Sequence, residues 1–143
     1  MSHPMTYVRP GPALSHLVNP IVVRLGLATT LVVRGRRSGR LLEVPMGAPL
    51  EFEGALYLVS GRGQTHWARN LRAAGRCQLR HRGRTDRFRA IELTGPKRVR
   101  VVAAYRAKLG HSVDRLFEQI PNAADHPVFR LDTEPAGVTT GLA

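Results

Sequence analysis

Cysteine is all but absent from this chain. Cys77 stands alone, so no intrachain disulfide forms and no thiolate metal cluster can be assembled. Acidic residues are scarce too: the ten Asp and Glu offer no paired-carboxylate arrangement for acid–base work and no Ser-His-Asp order. The six histidines, at 3, 16, 66, 81, 111 and 126, lack metal-ligand spacing. No stretch approaches the roughly 20 apolar residues that span a bilayer. The start, Met1 to Thr6, lacks the basic-then-apolar order of a secretory signal. These absences point to a reducing, cytoplasmic setting with no metal site and no side-chain nucleophile. An enzyme made from such parts needs a cofactor to carry its reaction.

What the chain does have is arginine. Twenty-two basic residues give a net charge of +12, and only Lys97 and Lys108 among them are lysines. GC-rich coding produces the same bias, so a basic surface raises the local concentration of anionic ligands without identifying one. The segment Val32 to Leu71 is more specific. It contains Arg34-Gly35-Arg36-Arg37-Ser38-Gly39-Arg40, then Ser60-Gly61-Arg62-Gly63, then Thr65-His66-Trp67-Ala68-Arg69-Asn70-Leu71. Four arginines in one turn between apolar runs repel one another, and that repulsion makes sense around a polyanion.

At 143 residues the chain has the size of one domain and, at 43% hydrophobic residues, can bury a core. Residues 1–12 read as a loose tail, 13–132 as the domain, and 133–143 as a flexible tail. Helical spacing of Leu14, Leu17, Val18, Ile21, Val22 and Leu25 predicts a short amphipathic helix that Pro20 could kink, with peripheral membrane contact kept open. Strands are expected over 28–33, 41–49, 55–59, 77–82 and 84–93, with turns at Glu53-Gly54 and Arg82-Gly83. Thr65 as N-cap and Gly75 past the C-terminus frame a helix over 66–74. A helix starting at Thr94-Gly95-Pro96 presents Val99, Val102, Ala103, Arg106 and Leu109 on one face and stops at Gly110. A short helix over 112–120 and a strand over 128–131 complete the order. Most connections have hairpin length, which argues for a mainly β, α+β fold whose antiparallel sheet closes into a small barrel with flanking helices.

Each guanidinium in the first turn can hold two phosphate or carboxylate oxygens, and Ser38 and the Gly39 amide add donors. Charge-assisted hydrogen bonds contribute about 1.5–3 kcal/mol each, so three gross roughly 5–9 kcal/mol before ordering costs. Micromolar affinity needs about 8 kcal/mol net, so the ligand must gain contacts beyond the turn. Gly61 and Gly63 would let a ligand approach the backbone, with Arg62 beside them. The helix behind that loop brings free amides and a positive dipole end. Trp67 and Asn70 share a helix face, the one suited to stacking on a ring and the other to tying the helix to a neighbouring loop.

Together, Leu31 to Arg40, Val44-Pro45, the glycine loop and Trp67-x-x-Asn70-Leu71 resemble the deazaflavin-dependent nitroreductase family. These are F-420-dependent nitro and quinone reductases with a split β-barrel related to FMN-binding barrels. The resemblance runs well over residues 25–93 and loosely elsewhere. It implies that Arg36, Arg37, Ser38 and Gly39, with Arg40, hold the phosphate and acidic tail of F-420. It also implies that Val44 and Pro45 lie beside the deazaflavin ring, that Ser60, Gly61, Arg62 and Gly63 form the second cofactor loop, and that Trp67 and Asn70 close the site. The chain departs from the family where a His-Pro often precedes the tryptophan, since it reads Gly63-Gln64-Thr65-His66-Trp67. Tyr105 is the sole tyrosine between Leu93 and Pro127, with no clear counterpart to the family's pocket tyrosines.

The reading is a reductase that passes hydride from F-420 to a quinone, nitro compound or activated enone, as a monomer or homodimer. FMN is the second choice, since its compact phosphate needs fewer arginines. A non-catalytic barrel holding a flavin, deazaflavin or fatty acid is the alternative. A nucleic-acid module using Arg80, Arg82, Arg84, Arg87 and Arg89 fits less well, because few aromatics interleave the arginines.

Overall fold

The computed structural model describes residues 29–134. The expected N-terminal helix and loose tail, and the C-terminal tail beyond Glu134, lie outside the described residues. Seven strands form one antiparallel sheet: β1 Thr29–Arg34, β2 Leu41–Met46, β3 Leu50–Phe52, β4 Ala55–Val59, β5 Arg76–His81, β6 Arg84–Glu92 and β7 Val128–Thr133. Helix α1 (His66–Ala74) follows β4, and α2 (Gly95–Leu109) follows β6. A 3-10 turn, Gly110–Val113, then leads into the short helix α3 (Asp114–Gln119). Among the described residues, no helix is long and apolar enough to cross a membrane.

Local chemistry sets most boundaries. The β3–β4 and β5–β6 hairpins turn on Glu53-Gly54 (φ 49° and 80°) and Arg82-Gly83 (φ 50° and 77°). Positive φ at both central residues matches the twist of antiparallel strands. Thr65 caps α1, its hydroxyl oxygen accepting from the Ala68 amide at 3.2 Å. Gly75 ends the helix in the left-handed region at φ 69°, with its amide on the Leu71 carbonyl.

The strand order is β2-β1-β5-β6-β7-β4-β3. The two edge strands, β2 and β3, are consecutive in sequence and separated only by Gly47, Ala48 and Pro49. A flat sheet of this order would hold them about 29 Å apart, at ~4.8 Å per strand spacing. Four Cα steps reach at most ~14 Å. The sheet must therefore curl until its edges face each other across a seam, which is the split-barrel form. The continuous strand expected over 41–49 is corrected here. It stops at Met46, before Gly47 and Pro49, and a separate strand not expected from sequence, β3, begins at Leu50 and pairs at the opposite end of the sheet.

Alternation along the strands creates two cores. The inner face gathers Leu31, Val33, Leu58, Cys77, Leu79 and Phe129 around Ala68 and Leu71 of α1. The other face of β3, β4 and β7 packs Leu50, Tyr57 and Val128 against Val101 and Val102 of α2 and Phe117 of α3. The stripe that α2 buries differs from the expected one. Val101 and Val102 are buried with Tyr105 half-buried behind them, while Val99 is 53% exposed and Leu109 39% exposed. Apolar residues surround this helix almost evenly, so contact with the sheet selects the face.

Candidate functional site

The arginine turn closes on itself. The Gly35 amide donates to the Arg40 carbonyl at 2.8 Å and the Gly39 amide to the Gly35 carbonyl at 3.0 Å. Ser38 Oγ accepts from the Arg40 amide at 3.2 Å. A Cβ on Gly35 would stand 2.8 Å from Ser38 Oγ and displace that hydroxyl, and Gly39, at φ 71°, sits where glycine is favoured. Arg37, Ser38, Gly39 and Arg40 are exposed at its tip.

Asn70 fastens the turn to α1. Its buried Oδ1 accepts from the Arg36 amide at 3.1 Å and from Arg36 Nη1 at 2.7 Å. Arg36 Nη2 also lies 3.5 Å from His66 Nδ1. Desolvation, followed by repulsion from the Arg37 and Arg69 guanidiniums, holds the Arg36 pKa below its ordinary value. The first turn of α1 carries no acidic residue. Three guanidiniums therefore crowd the positive end of a helix dipole, an arrangement that an anion would relieve. Asn70→Ala strands the Arg36 amide, so an urea titration is expected to show a loss of about 1–2 kcal/mol. An unchanged midpoint would show that the turn holds without this link.

The loop from Ser60 to Thr65 is braced from within. Ser60 is buried; its Oγ donates to the Gly63 carbonyl and lies 3.2 Å from Thr65 Oγ1. Its amide donates to the Pro127 carbonyl at 2.8 Å. His126, fully buried and stacked on Phe117 at 4.2 Å, sets Nδ1 3.1 Å from the Ser60 carbonyl oxygen and Nε2 2.6 Å from that of Ile120. On the far side, Arg72 of α1 grips Glu92 through two bonds of 2.6 and 2.8 Å and reaches Gln64 at 3.2 Å.

Beside this loop, at the seam between the edge strands, lies a cavity of about 370 Å³. Pro45 and Met46 of β2, the Gly47–Pro49 connection, the end of β4, the Ser60–Arg62 loop, Trp67 and the C-terminal part of α2 enclose it. Trp67 is half-buried, with its ring centroid 6.2 Å from that of Phe129. Tyr105 reaches over Gly61 so closely that a Cβ there would stand 2.7 Å from the phenol oxygen. Burial raises the Tyr105 pKa, outweighing Arg62, so the side chain is a neutral phenol at physiological pH.

The sequence model of the F420H2-dependent quinone reductase family matches residues 16–117, more than half of the chain. The chain belongs to this family. Solved structures agree on the fold. An F420-H2-dependent reductase named FDR-A superposes with a TM-score of 0.59 at 18% identity, over 74% of this chain and 94% of its own. The heme storage protein HutZ from Vibrio cholerae gives 0.56 at 16% identity, over 83% and 92%. An FAD-binding protein from Mesorhizobium loti gives 0.51 at 17%, over 83% and 89%. A search of curated proteins gives no match.

Members of this family depend on coenzyme F-420, and the residues present fit such a group. The cofactor combines a flat ring with a phosphate and an acidic tail. The structure combines an apolar cavity with a crowded, acid-free arginine turn at a helix N-terminus. Of the residues picked from sequence, Pro45, Ser60, Gly61, Arg62 and Trp67 line the cavity. Arg36, Arg37, Ser38, Gly39, Arg40 and Asn70 belong to the turn and its anchor instead. Val44 packs against the barrel core, and Gly63, at φ 86°, serves the loop's own turn, its amide donating to the Ser60 carbonyl at 3.2 Å. Gly61 is small for the sake of Tyr105, a physical reason different from ligand approach.

Sequence reading missed Met46, Tyr57, Lys108 and Leu116 on the cavity wall, and Tyr105 acquires the pocket position it lacked. Nothing local marks them, because they come from four elements that meet only at the seam. His126 was noted solely as lacking metal spacing. Among the described residues no group of three or more His, Cys, Asp or Glu side chains could hold a metal.

Proposed function

We propose that this chain is an F-420-dependent reductase whose acceptor is a quinone, a nitro compound or an activated enone. The observation carrying this reading is the continuity of the two features. Helix α1 holds the arginine turn through Asn70 and, one turn earlier on the same face, presents Trp67 to the cavity. An elongated cofactor with a flat head and an anionic tail needs that layout.

In this reading Arg36, Arg37 and Arg40, with the Ser38 hydroxyl and the Gly39 amide, take the phosphate and acidic tail. The ring enters the cavity beside Pro45 and the Ser60–Gly63 loop, with Trp67 as a wall. Bound in reduced form, F-420 supplies the hydride that the side chains cannot. The protein's part is to orient the ring through the braced Ser60 loop, to exclude water with an apolar lining, and to hold Tyr105 as a neutral donor near Gly61. FMN would leave most of the arginine turn without a partner, which is why the deazaflavin is preferred.

Titration with oxidised F-420 and separately with FMN, read by quenching of Trp67, tests the assignment. Trp67 is the only tryptophan, so the signal comes from the cavity wall. Saturable quenching by F-420 at about micromolar concentration, with little from FMN, is expected. Oxidation of reduced F-420 by a panel of quinones, nitroarenes and enones then identifies the acceptor. Tight binding with no acceptor reduced would favour a cofactor-holding barrel instead.

A further inference from the structure

Among the described residues two cations line the cavity, and no carboxylate does. Arg62 stands on its wall, with Nε buried and without a hydrogen-bond partner. Lys108 stands at its mouth, in the last turn of α2. A buried donor left without an acceptor is destabilising. Two cations beside a largely apolar space also strengthen each other's call for negative charge, because low-dielectric walls focus the field.

These two do not belong to the arginine turn. Arg36, Arg37 and Arg69 interact with one another near the start of α1, and none of them lines the cavity. Arg62 instead sits within electrostatic reach of Tyr105 on α2. The molecule therefore has two separate places that attract anions. In the reading above the turn takes the phosphate and acidic tail and the apolar walls take the cofactor ring, so the second place can serve another ligand.

We propose that Arg62 and Lys108 form an anion site for the acceptor, so that the protein prefers planar substrates carrying a negative charge on or beside the reducible ring. An ionised hydroxyquinone or a carboxylate-bearing enone has this chemistry. The charged oxygen is drawn to the Arg62 guanidinium and the Lys108 ammonium, and the ring rests on the apolar walls. A neutral quinone leaves both cations unmatched. The inference rests on the reductase reading above, and it moves Arg62 from the cofactor to the acceptor.

Calorimetric titration of the protein saturated with oxidised F-420 tests it, using an ionised hydroxynaphthoquinone and its neutral methoxy analogue as probes. Covalent capture does not interfere: Cys77 is buried, and burial pushes its thiol up to about 12, so no thiolate is available to add to a quinone. The anion is expected to bind about tenfold more tightly than the neutral analogue at low salt, the gap narrowing at high salt. Lys108→Met, an exposed position that keeps an unbranched stem, should remove most of the gap while neutral-probe affinity stays within about twofold. Equal affinities for the two probes, or a preference indifferent to Lys108→Met, would overturn the proposal. Repeating the titrations without cofactor separates the two readings. Charge preference without F-420 saturation condemns the cofactor assignment alone, and saturation without charge preference condemns the anion site alone.

Discussion

Replacing Arg36 and Arg37 together by alanine is expected to weaken F-420 binding by about 100-fold. Each charge-assisted contact contributes about 1.5–3 kcal/mol, and tenfold in affinity is about 1.4 kcal/mol. Arg37 is exposed and belongs at the low end of that range, while Arg36 is half-buried and held in place by Asn70. The double variant should fold normally. The Arg36 amide keeps its bond to Asn70 Oδ1, the Gly35–Arg40 and Gly39–Gly35 bonds are backbone only, and like-charge repulsion is relieved. Thermal melting should therefore stay put or rise slightly while Trp67 quenching shifts to far higher cofactor concentration. Adding salt to the unsubstituted protein should weaken binding in the same direction, since exposed charges are screened. Affinity within threefold or so of the original would remove the turn from the cofactor site.

His126→Ala is expected to lower stability by about 3–4 kcal/mol, among the larger effects available to a single substitution here. The ring is fully buried, stacks on Phe117 and stands between the Ser60 and Ile120 carbonyls, so its removal leaves a cavity and breaks the polar link between those two segments, although the Ser60 carbonyl keeps the Gly63 amide. For a domain of this size the melting temperature should fall by roughly 10 °C. The site should feel it as well, because Ser60 is one of the two partners and its loop forms the cavity wall. His126→Gln, which keeps a polar head, should recover part of the loss. A fall below about 1 kcal/mol would mean that water replaces the ring at little cost. Chemical denaturation, with F-420 affinity measured on the folded fraction, separates the stability effect from the site effect.

Much of this molecule is legible without coordinates because its signals are local. The α1 limits follow from one hydroxyl that can cap and one glycine that can adopt positive φ. The hairpins at Glu53-Gly54 and Arg82-Gly83 follow from the backbone freedom of the second residue. The arginine turn announces itself by its charge density, and the placement of Asn70 on the Trp67 face follows from helical spacing.

Where reading failed, the deciding contact was distant. The face of α2 could not be chosen between stripes of similar apolarity until Leu50, Tyr57 and Val128 were placed beneath it. Residues 47–49 read as the end of one strand, although they form the connection between opposite edges of the sheet.

The sequence alone determined the turns, the caps, the alternating strands and the arginine cluster, since each depends on residues a few positions apart and on fixed backbone sterics. Tertiary structure decided the rest. Curling the sheet brings β2 to β3, and that seam creates the cavity. It also sets Tyr105 over Gly61, brings Arg62 and Lys108 to one space, and buries His126 as the brace of the Ser60 loop. These pairs lie dozens of residues apart, and no local preference encodes their meeting. Only burial of two cores on opposite faces of a closed sheet brings them together.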